Sequence, residues 1–370
     1  MTIAISGAGL IGRLLAWQAL NHGLSVDLYD HDTPEAQQSA AWVAAAMLAP
    51  ISESVKAPDV LAMGNDSLQR WPALLAKLTQ ATQQPINYYR SGTMVVAHTP
   101  DHAYLTQFTA HLRANSDTQY AFSELDAATL AQTAPTLAEQ FSSAVHIPSE
   151  ACIDNRQLLT ALRIALDAHP NLTWHTETHV DSVQPHRIAF THRQHDTVQH
   201  ATYDTVVDCR GFGAETQQPD LRGVRGEIIW VHAPDVALEH AVRLMHPRYQ
   251  LYIAPHANNV FACGATDIES NHTKRITVRS SLELLSALFS VSSQFAEAEI
   301  IGSYARIRPA YPDNLPRIQH QPGLMSVNGL YRHGYLLAPV VAADALTLLT
   351  NPTAQPHDLV WASRCHSHLH

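Results

Sequence analysis

The stretch from residue 2 to residue 30, TIAISGAGLIGRLLAWQALNHGLSVDLYD, decides the fold. Thr2 to Ser6 reads as a short buried strand. Leu10, Leu14 and Leu15 follow at helical spacing, and Gly23 stands where a helix C-cap belongs. Ser25 to Tyr29 then alternates like a second strand. Between strand and helix lies Gly7-Ala8-Gly9-Leu10-Ile11-Gly12, a GxGxxG that alone would be a weak signal. Here it follows a strand, opens a helix, and belongs to a βαβ unit closed by an acid, Asp30, 18 positions after Gly12. The glycines allow a tight turn and let a pyrophosphate approach the backbone, where N–H groups and the positive helix end hold its charge. Asp30 would accept hydrogen bonds from ribose hydroxyls, and an acid there would repel the 2′-phosphate of NADP. An ordinary glycine turn is the rival reading, and the four contextual conditions together disfavour it. The fingerprint does not separate FAD from NAD.

Working outward, 370 residues exceed one ordinary core and suggest two domains or one large α/β domain. A composition of 46% hydrophobic and 15% charged residues is that of a globular chain. The formal net charge of -10 comes from 23 Lys+Arg against 33 Asp+Glu, with no basic run, so nucleic acid is not an expected partner. The 24 histidines make the charge less negative as pH falls through about 6.5. Cys152, Cys209, Cys263 and Cys365 stand far apart with no CxxC pair, which fits a reducing compartment and neither a zinc ribbon nor a disulfide framework. There is no basic leader pattern, and the apolar run from Ala40 to Ile51 is too short to cross a membrane. The expectation is a soluble cytoplasmic protein with no membrane partner.

Further along, Met63, Leu68, Trp71 and Leu74 to Leu78 mark a helix, Tyr89 to Ala97 a strand, and His102 to Ala114 a polar helix. Asp154 to His169 is an amphipathic helix with Asp154 or Asn155 as N-cap and Pro170 beyond its end. Leu172 to Ser182, Tyr203 to Asp208, Ile228 to Val231, Leu251 to Ile253 and Val260 to Ala262 are rich in strand formers. Helical pattern returns at Val278 to Phe289 and at Val340 to Leu349. Helices and strands interleave throughout, so the class is α/β, with a chain that leaves its first domain and returns.

Three later segments carry a resemblance: Leu221-Arg222-Gly223-Val224-Arg225-Gly226-Glu227, Arg308-Pro309-Ala310-Tyr311-Pro312-Asp313-Asn314-Leu315-Pro316, and Gly329-Leu330-Tyr331-Arg332-His333-Gly334-Tyr335-Leu336-Leu337-Ala338-Pro339. With Ala46-Met47-Leu48-Ala49-Pro50, they resemble the D-amino-acid oxidase family, and within it the glycine oxidase branch associated with thiamine biosynthesis. The resemblance implies a Rossmann-type FAD-binding domain (residues 1–86, 146–224 and 303–370) and a discontinuous antiparallel-sheet substrate domain (87–145 and 225–302). It implies FAD as a non-covalent cofactor, hydride transfer from a small amine or amino acid to flavin, and molecular oxygen as acceptor, giving hydrogen peroxide. It also implies homo-oligomers, which many members form. By motif, Arg308 would pair with the substrate carboxylate, Tyr252 would help hold it, and Arg332 would lie near flavin and substrate. The cofactor would meet Gly7, Gly9, Leu10, Ile11, Gly12, Asp30, Ala46, Met47, Leu48, Val180, Gly211, Arg308, Arg332, His333, Gly334, Tyr335, Leu336 and Leu337. A guanidinium suits such a role because its planar fork binds a carboxylate at two points.

Ala46 replaces the family's glycine, Trp42 is bulky, and Arg210-Gly211-Phe212 replaces a pattern of smaller residues. Rival readings are a same-fold amine dehydrogenase using a quinone or another acceptor, a flavin-dependent tRNA-wobble-uridine modifying domain, and a catalytically silent nucleotide-binding protein. Surface salt bridging is the bland role for Arg308, and a half-buried sheet position that for Tyr252. No HExxH, GxSxG or P-loop occurs. The tail from Arg364 to His370 holds Cys365 and three histidines, but chain ends fray, and no metal site is expected.

Overall fold

The strand Thr2–Ser6 lies inside a six-stranded sheet ordered Arg317–Gln321, Leu324–Asn328, Thr205–Asp208, Thr2–Ser6, Ser25–Tyr29, Leu172–His175. All neighbours are parallel except the first pair. Ile3, Ala4 and Ile5 are buried without alternation, as expected when helices cover both faces. The computed structural model describes residues 1–53, 58–114, 121–195, 197–248, 251–351 and 354. Helix Leu10–Asn21 packs between helices Gly334–Thr350 and Asn155–Asp167, and Leu14, Leu15, Leu158, Leu162, Val341 and Trp71 share one core.

Among the described residues the second large sheet has nine strands. Its longest ladder pairs Arg222–His232 with Glu299–Ala310 from Arg222 opposite Ala310 to His232 opposite Glu299. The other edge of Arg222–His232 meets Val260–Gly264, which pairs in turn with Leu251–His256. The sheet is antiparallel but for one parallel pair, Ala241–Met245 on Thr93–Ala97. Helix Val278–Val291 closes a second core over it with Ile229, Ile253, Phe261, Leu284 and Leu288. Three strands, Ala144–Ile147, Arg222–His232 and Glu299–Ala310, run unbroken through positions where domain boundaries were expected. A strand ends where its ladder partner ends, and no composition shift marks that point.

Local readings fare unevenly. Ser25–Tyr29 and His102–Ala114 form as read, and Asp154 is the N-cap, accepting from the Gln157 N–H at 3.0 Å. The expected strand from Tyr89 to Ala97 is broken at Gly92, whose φ of +83° divides Tyr88–Tyr89 from Thr93–Ala97. The last helix begins at Gly334, ahead of Val340, and contains Pro339. Pro339 has no N–H for the Tyr335 carbonyl, and the Trp71 indole N–H donates to that oxygen at 3.0 Å. By length and composition Tyr331–Thr350 could cross a membrane (mean hydropathy 1.3), but 72% of its most apolar 18-residue window is buried inside the fold. Cys152, Cys209 and Cys263 are buried and form no disulfide, while Cys365 and the histidine tail lie outside the described residues.

Candidate active site

At the fingerprint the backbone itself forms the wall. The Gly7 N–H donates to the Tyr29 carbonyl at 2.8 Å, and Gly7 has φ +98°. A Cβ at Gly7 would stand 2.7 Å from the Cys209 carbonyl carbon and 2.8 Å from the Arg210 Cα, neither of which can swing away. At Gly12 a Cβ would overlap the Gly7 carbonyl oxygen, so the helix rests directly on the turn. Buried Arg13 locks that turn. Its Nε donates to the Ala8 carbonyl and its Nη2 to the Pro34 carbonyl, both at 2.7 Å, and burial lowers its pKa to about 10. Asp30 accepts from the Ala8 N–H and, at 2.8 Å, from the Asp32 N–H. His31 Nδ1 lies 3.3 Å from Asp30 Oδ1 as well, and a carboxylate has about four acceptor sites, so acceptor capacity remains for a hydroxyl in the cavity.

From this turn a cavity of about 1620 Å³ runs to the far sheet. Gly7, Gly9, Leu10, Ile11, Asp30, Val180 and Gly211 line one end. Ala46, Met47, Tyr252, Arg308, Arg332, His333, Gly334, Tyr335 and Leu336 line the rest. Gly12, Leu48 and Leu337 do not reach it: Gly12 is pressed on the turn, and the two leucines are wholly buried in the core behind the wall. Gly9 and Gly334 stand at the N-terminal ends of Leu10–Asn21 and Gly334–Thr350, and a Cβ on either would meet nothing within 4 Å. Two long helices thus aim their positive ends into one cavity, where anionic and electron-rich groups of a dinucleotide belong. The residues present fit FAD.

The unusual residues find places beside this cavity. Arg210 lies along Asp208 (2.8 and 2.9 Å) and donates to the Val180 carbonyl at 3.1 Å, which ties two cofactor-side segments together. Trp42 stays out of the cavity wall and meets the Arg156 guanidinium, whose Cζ lies 4.0 Å from the Trp42 ring centroid and 3.9 Å from that of Trp230. Ala46 has φ +53°, the left-handed region that favours glycine.

At the substrate end Arg308 donates from Nη1 to the Thr266 carbonyl at 3.0 Å, and Asp267 Oδ1 lies 3.9 Å away. The Tyr331 hydroxyl donates to the same Asp267 at 2.6 Å. The Arg308 head lies over Gly226 on the neighbouring strand, where a Cβ would collide with its Cζ and Nη2 and stand 2.9 Å from Nη1. Sequence reasoning missed Glu53. Its carboxylate accepts from the Tyr252 hydroxyl and pairs with Arg332 Nη2 at 2.5 Å. Burial would raise the Glu53 carboxyl, but Arg332, Arg243 and His333 outweigh it and hold it at about 2. Burial also drives His333 down to about 4, so its ring is neutral at neutral pH. The one available signal for Glu53 was an acid two positions after an apolar run that ends at Ile51, which an exposed acid would show equally. Among the described residues no group of three or more His, Cys, Asp or Glu could hold a metal ion.

The model of the family described as FAD dependent oxidoreductase matches residues 2–347. The chain is 38% identical over 360 residues to a Rhizobium etli protein named thiamine biosynthesis oxidoreductase ThiO, spanning 96% of this chain and 98% of that one. It is 25% identical over 350 residues to the glycine oxidase of Geobacillus kaustophilus, spanning 91% of this chain and 90% of the relative. The crystal structure of that glycine oxidase superposes with a TM-score of 0.85, covering 100% of this chain and 99% of the other at 24% identity. A match along nearly the whole chain, over a cavity built for a dinucleotide, places the protein in the D-amino-acid-oxidase-type family of FAD-dependent oxidoreductases.

Proposed function

We propose that this enzyme oxidises the C–N bond of a small amino acid (glycine, sarcosine or a small D-amino acid) with molecular oxygen as final acceptor, and that its imine product serves thiazole synthesis for thiamine. The observation that carries the reading is the half-buried guanidinium of Arg308 at the end of a cavity that begins at the dinucleotide fingerprint. Bound FAD supplies the two-electron acceptor for the substrate's α-hydrogen. Residues Gly7, Gly9, Leu10, Ile11, Asp30 and Val180 would hold its dinucleotide half, and Ala46, Met47, Gly334, Tyr335 and Leu336 its ring half, with the sheet around Thr2–Ser6 as the cofactor domain.

Arg308 binds the substrate carboxylate through the part of its fork not given to the Thr266 carbonyl, and so places the α-carbon. Thr266 and Asp267 hold the guanidinium from behind, and Gly226 leaves it room. Tyr252 stays protonated, because burial pushes its phenol far above the usual range, and it lines the pocket while its hydroxyl donates to Glu53. Substrate enters with a neutral amine, so no side chain need act as a base. The similarity to the ThiO and glycine oxidase relatives supports this choice of substrates.

The test is the visible spectrum of the purified protein during anaerobic addition of glycine, sarcosine and D-alanine in turn. Bleaching of the flavin band by one of them, reversed by air, is the expected result. A band that none of them bleaches would refute the substrate class. A band that bleaches but returns only with a quinone or dye would replace oxygen as the acceptor.

A further inference from the structure

We propose that Glu53 sets the charge of the substrate pocket, so that the pocket takes an amino acid with a single carboxylate and rejects one with a second acidic group. The inference rests on the carboxylate-binding role given above to Arg308.

Two guanidinium groups, those of Arg308 and Arg332, face the substrate end of the cavity. Two cations there would suit two carboxylates. Glu53 removes one from service: it pairs with Arg332 Nη2 at 2.5 Å and also takes the Tyr252 hydroxyl. It is no stray surface acid, being only 7% exposed, and it too lines the cavity. The short helix Pro50–Glu53 that carries it is clamped from behind by buried Glu150, which accepts from the Ser52 N–H at 2.6 Å and the Ser52 hydroxyl at 2.5 Å.

Arg243 stands 5.8 Å from the Tyr252 ring centroid and outside the cavity wall. Its charge therefore holds Glu53 ionised without offering a substrate contact. Asp267, 3.9 Å from Arg308, is 48% exposed at the side chain and screened by water. Asp59, Arg248, Arg279, Glu283 and Arg306 line other parts of the same cavity, and among the three groups nearest one another here Arg308 and Arg332 against Glu53 leave one net positive charge. One carboxylate neutralises it. A second would enter beside the Glu53 carboxylate, and like charges brought together in a water-poor site repel strongly.

Glu53→Gln keeps the shape and an acceptor for Tyr252 but releases the charge of Arg332. The test uses the flavin-loaded protein and two non-reacting probes, acetate and malonate, with binding read from the shift of the flavin absorption band. The wild type is expected to bind acetate about tenfold or more tightly than malonate, and Glu53→Gln to lower that ratio by about tenfold or more. A wild type that binds malonate as tightly as acetate overturns the proposal even if the variant fails to fold. A ratio unchanged in a folded, yellow Glu53→Gln overturns it while leaving the Arg308 reading intact. A wild type that binds neither anion refutes the Arg308 reading, and this inference with it.

Discussion

Replacing Gly226 with alanine tests whether Arg308 is placed by the strand beside it. The new methyl would lie on the Cζ and Nη2 of Arg308 and 2.9 Å from Nη1, with Arg308 itself held on the register of Arg222–His232 against Glu299–Ala310. Carbon atoms cease to repel at about 3.5 Å, so the guanidinium must retreat by about 1 Å. The atoms in the way are the far end of a flexible side chain, and the chain can yield without unfolding. The fold should therefore survive while the 3.0 Å bond to the Thr266 carbonyl and the carboxylate contact are lost. A hydrogen bond to a charged group contributes about 1.5–3 kcal/mol, and a misplacement of about 1 Å near a reacting centre can cost about 100-fold. The expected loss in kcat/KM is thus about 30- to 100-fold for whichever of glycine, sarcosine and D-alanine reacts best. Thermal unfolding should move by only a few degrees, and the flavin content should be normal. Steady-state oxygen uptake alongside the visible spectrum would read both. A Gly226→Ala enzyme within about threefold of wild type would refute the placement argument. One that is unfolded or colourless would show that Gly226 supports the fold and not the arginine.

Three further outcomes follow from particular contacts. Gly7→Ala sets a Cβ against the Cys209 and Arg210 backbone at φ +98°, so it should purify without flavin and lose about 2 kcal/mol or more in urea unfolding; retention of a full flavin band would contradict the close-approach role. Ala46→Gly relieves a φ of +53° that costs an alanine about 1–2 kcal/mol, against about 0.5–1 kcal/mol of added chain entropy, so a net gain of about 0.5–1 kcal/mol should appear as a higher Tm with flavin retained. Glu150 is raised by burial, against its Ser52 hydrogen bonds, from an ordinary 4.5 to about 7, so its protonated form favours the folded state. That contribution is complete below pH 4.5 and lost as pH rises through about 7, so Glu150→Gln should gain on wild type across this window by about 3 kcal/mol in urea titrations. A difference that does not vary with pH would mean that Glu150 is ionised throughout.

Much of the cofactor half could be read along the chain. The turn from Gly7 to Gly12, its flanking strands and the acid at Asp30 obey rules that act over a few residues: apolar runs that need burial on both faces, glycines where backbone must approach backbone, a helix opening beyond them. The helix capped by Asp154 was equally legible, since its periodicity and cap are both local. The strands Arg187–His192, Gln199–Thr202 and Arg317–Gln321 were not, because their exposed faces carry polar residues and their pairing comes from neighbours. The long ladder was hidden for a related reason: nothing in the composition of Glu299–Ala310 says that it runs the length of Arg222–His232.

The substrate end divides the same way. That an arginine followed by proline at 308 binds a carboxylate rested on resemblance, and no periodicity could supply it. Its neighbourhood was a matter of three dimensions: Gly226 beneath it comes from another strand, and the Thr266 carbonyl from the turn beyond Val260–Gly264. Glu53 and Tyr252 stand 199 positions apart and meet only because a four-residue helical turn is wedged against the far sheet. Local stereochemistry acts between neighbours in the chain and leaves its mark in the order of residues. Charge pairing acts through space, across whatever the sheet register brings within a few ångströms, and so the charge of this pocket belongs to the tertiary structure.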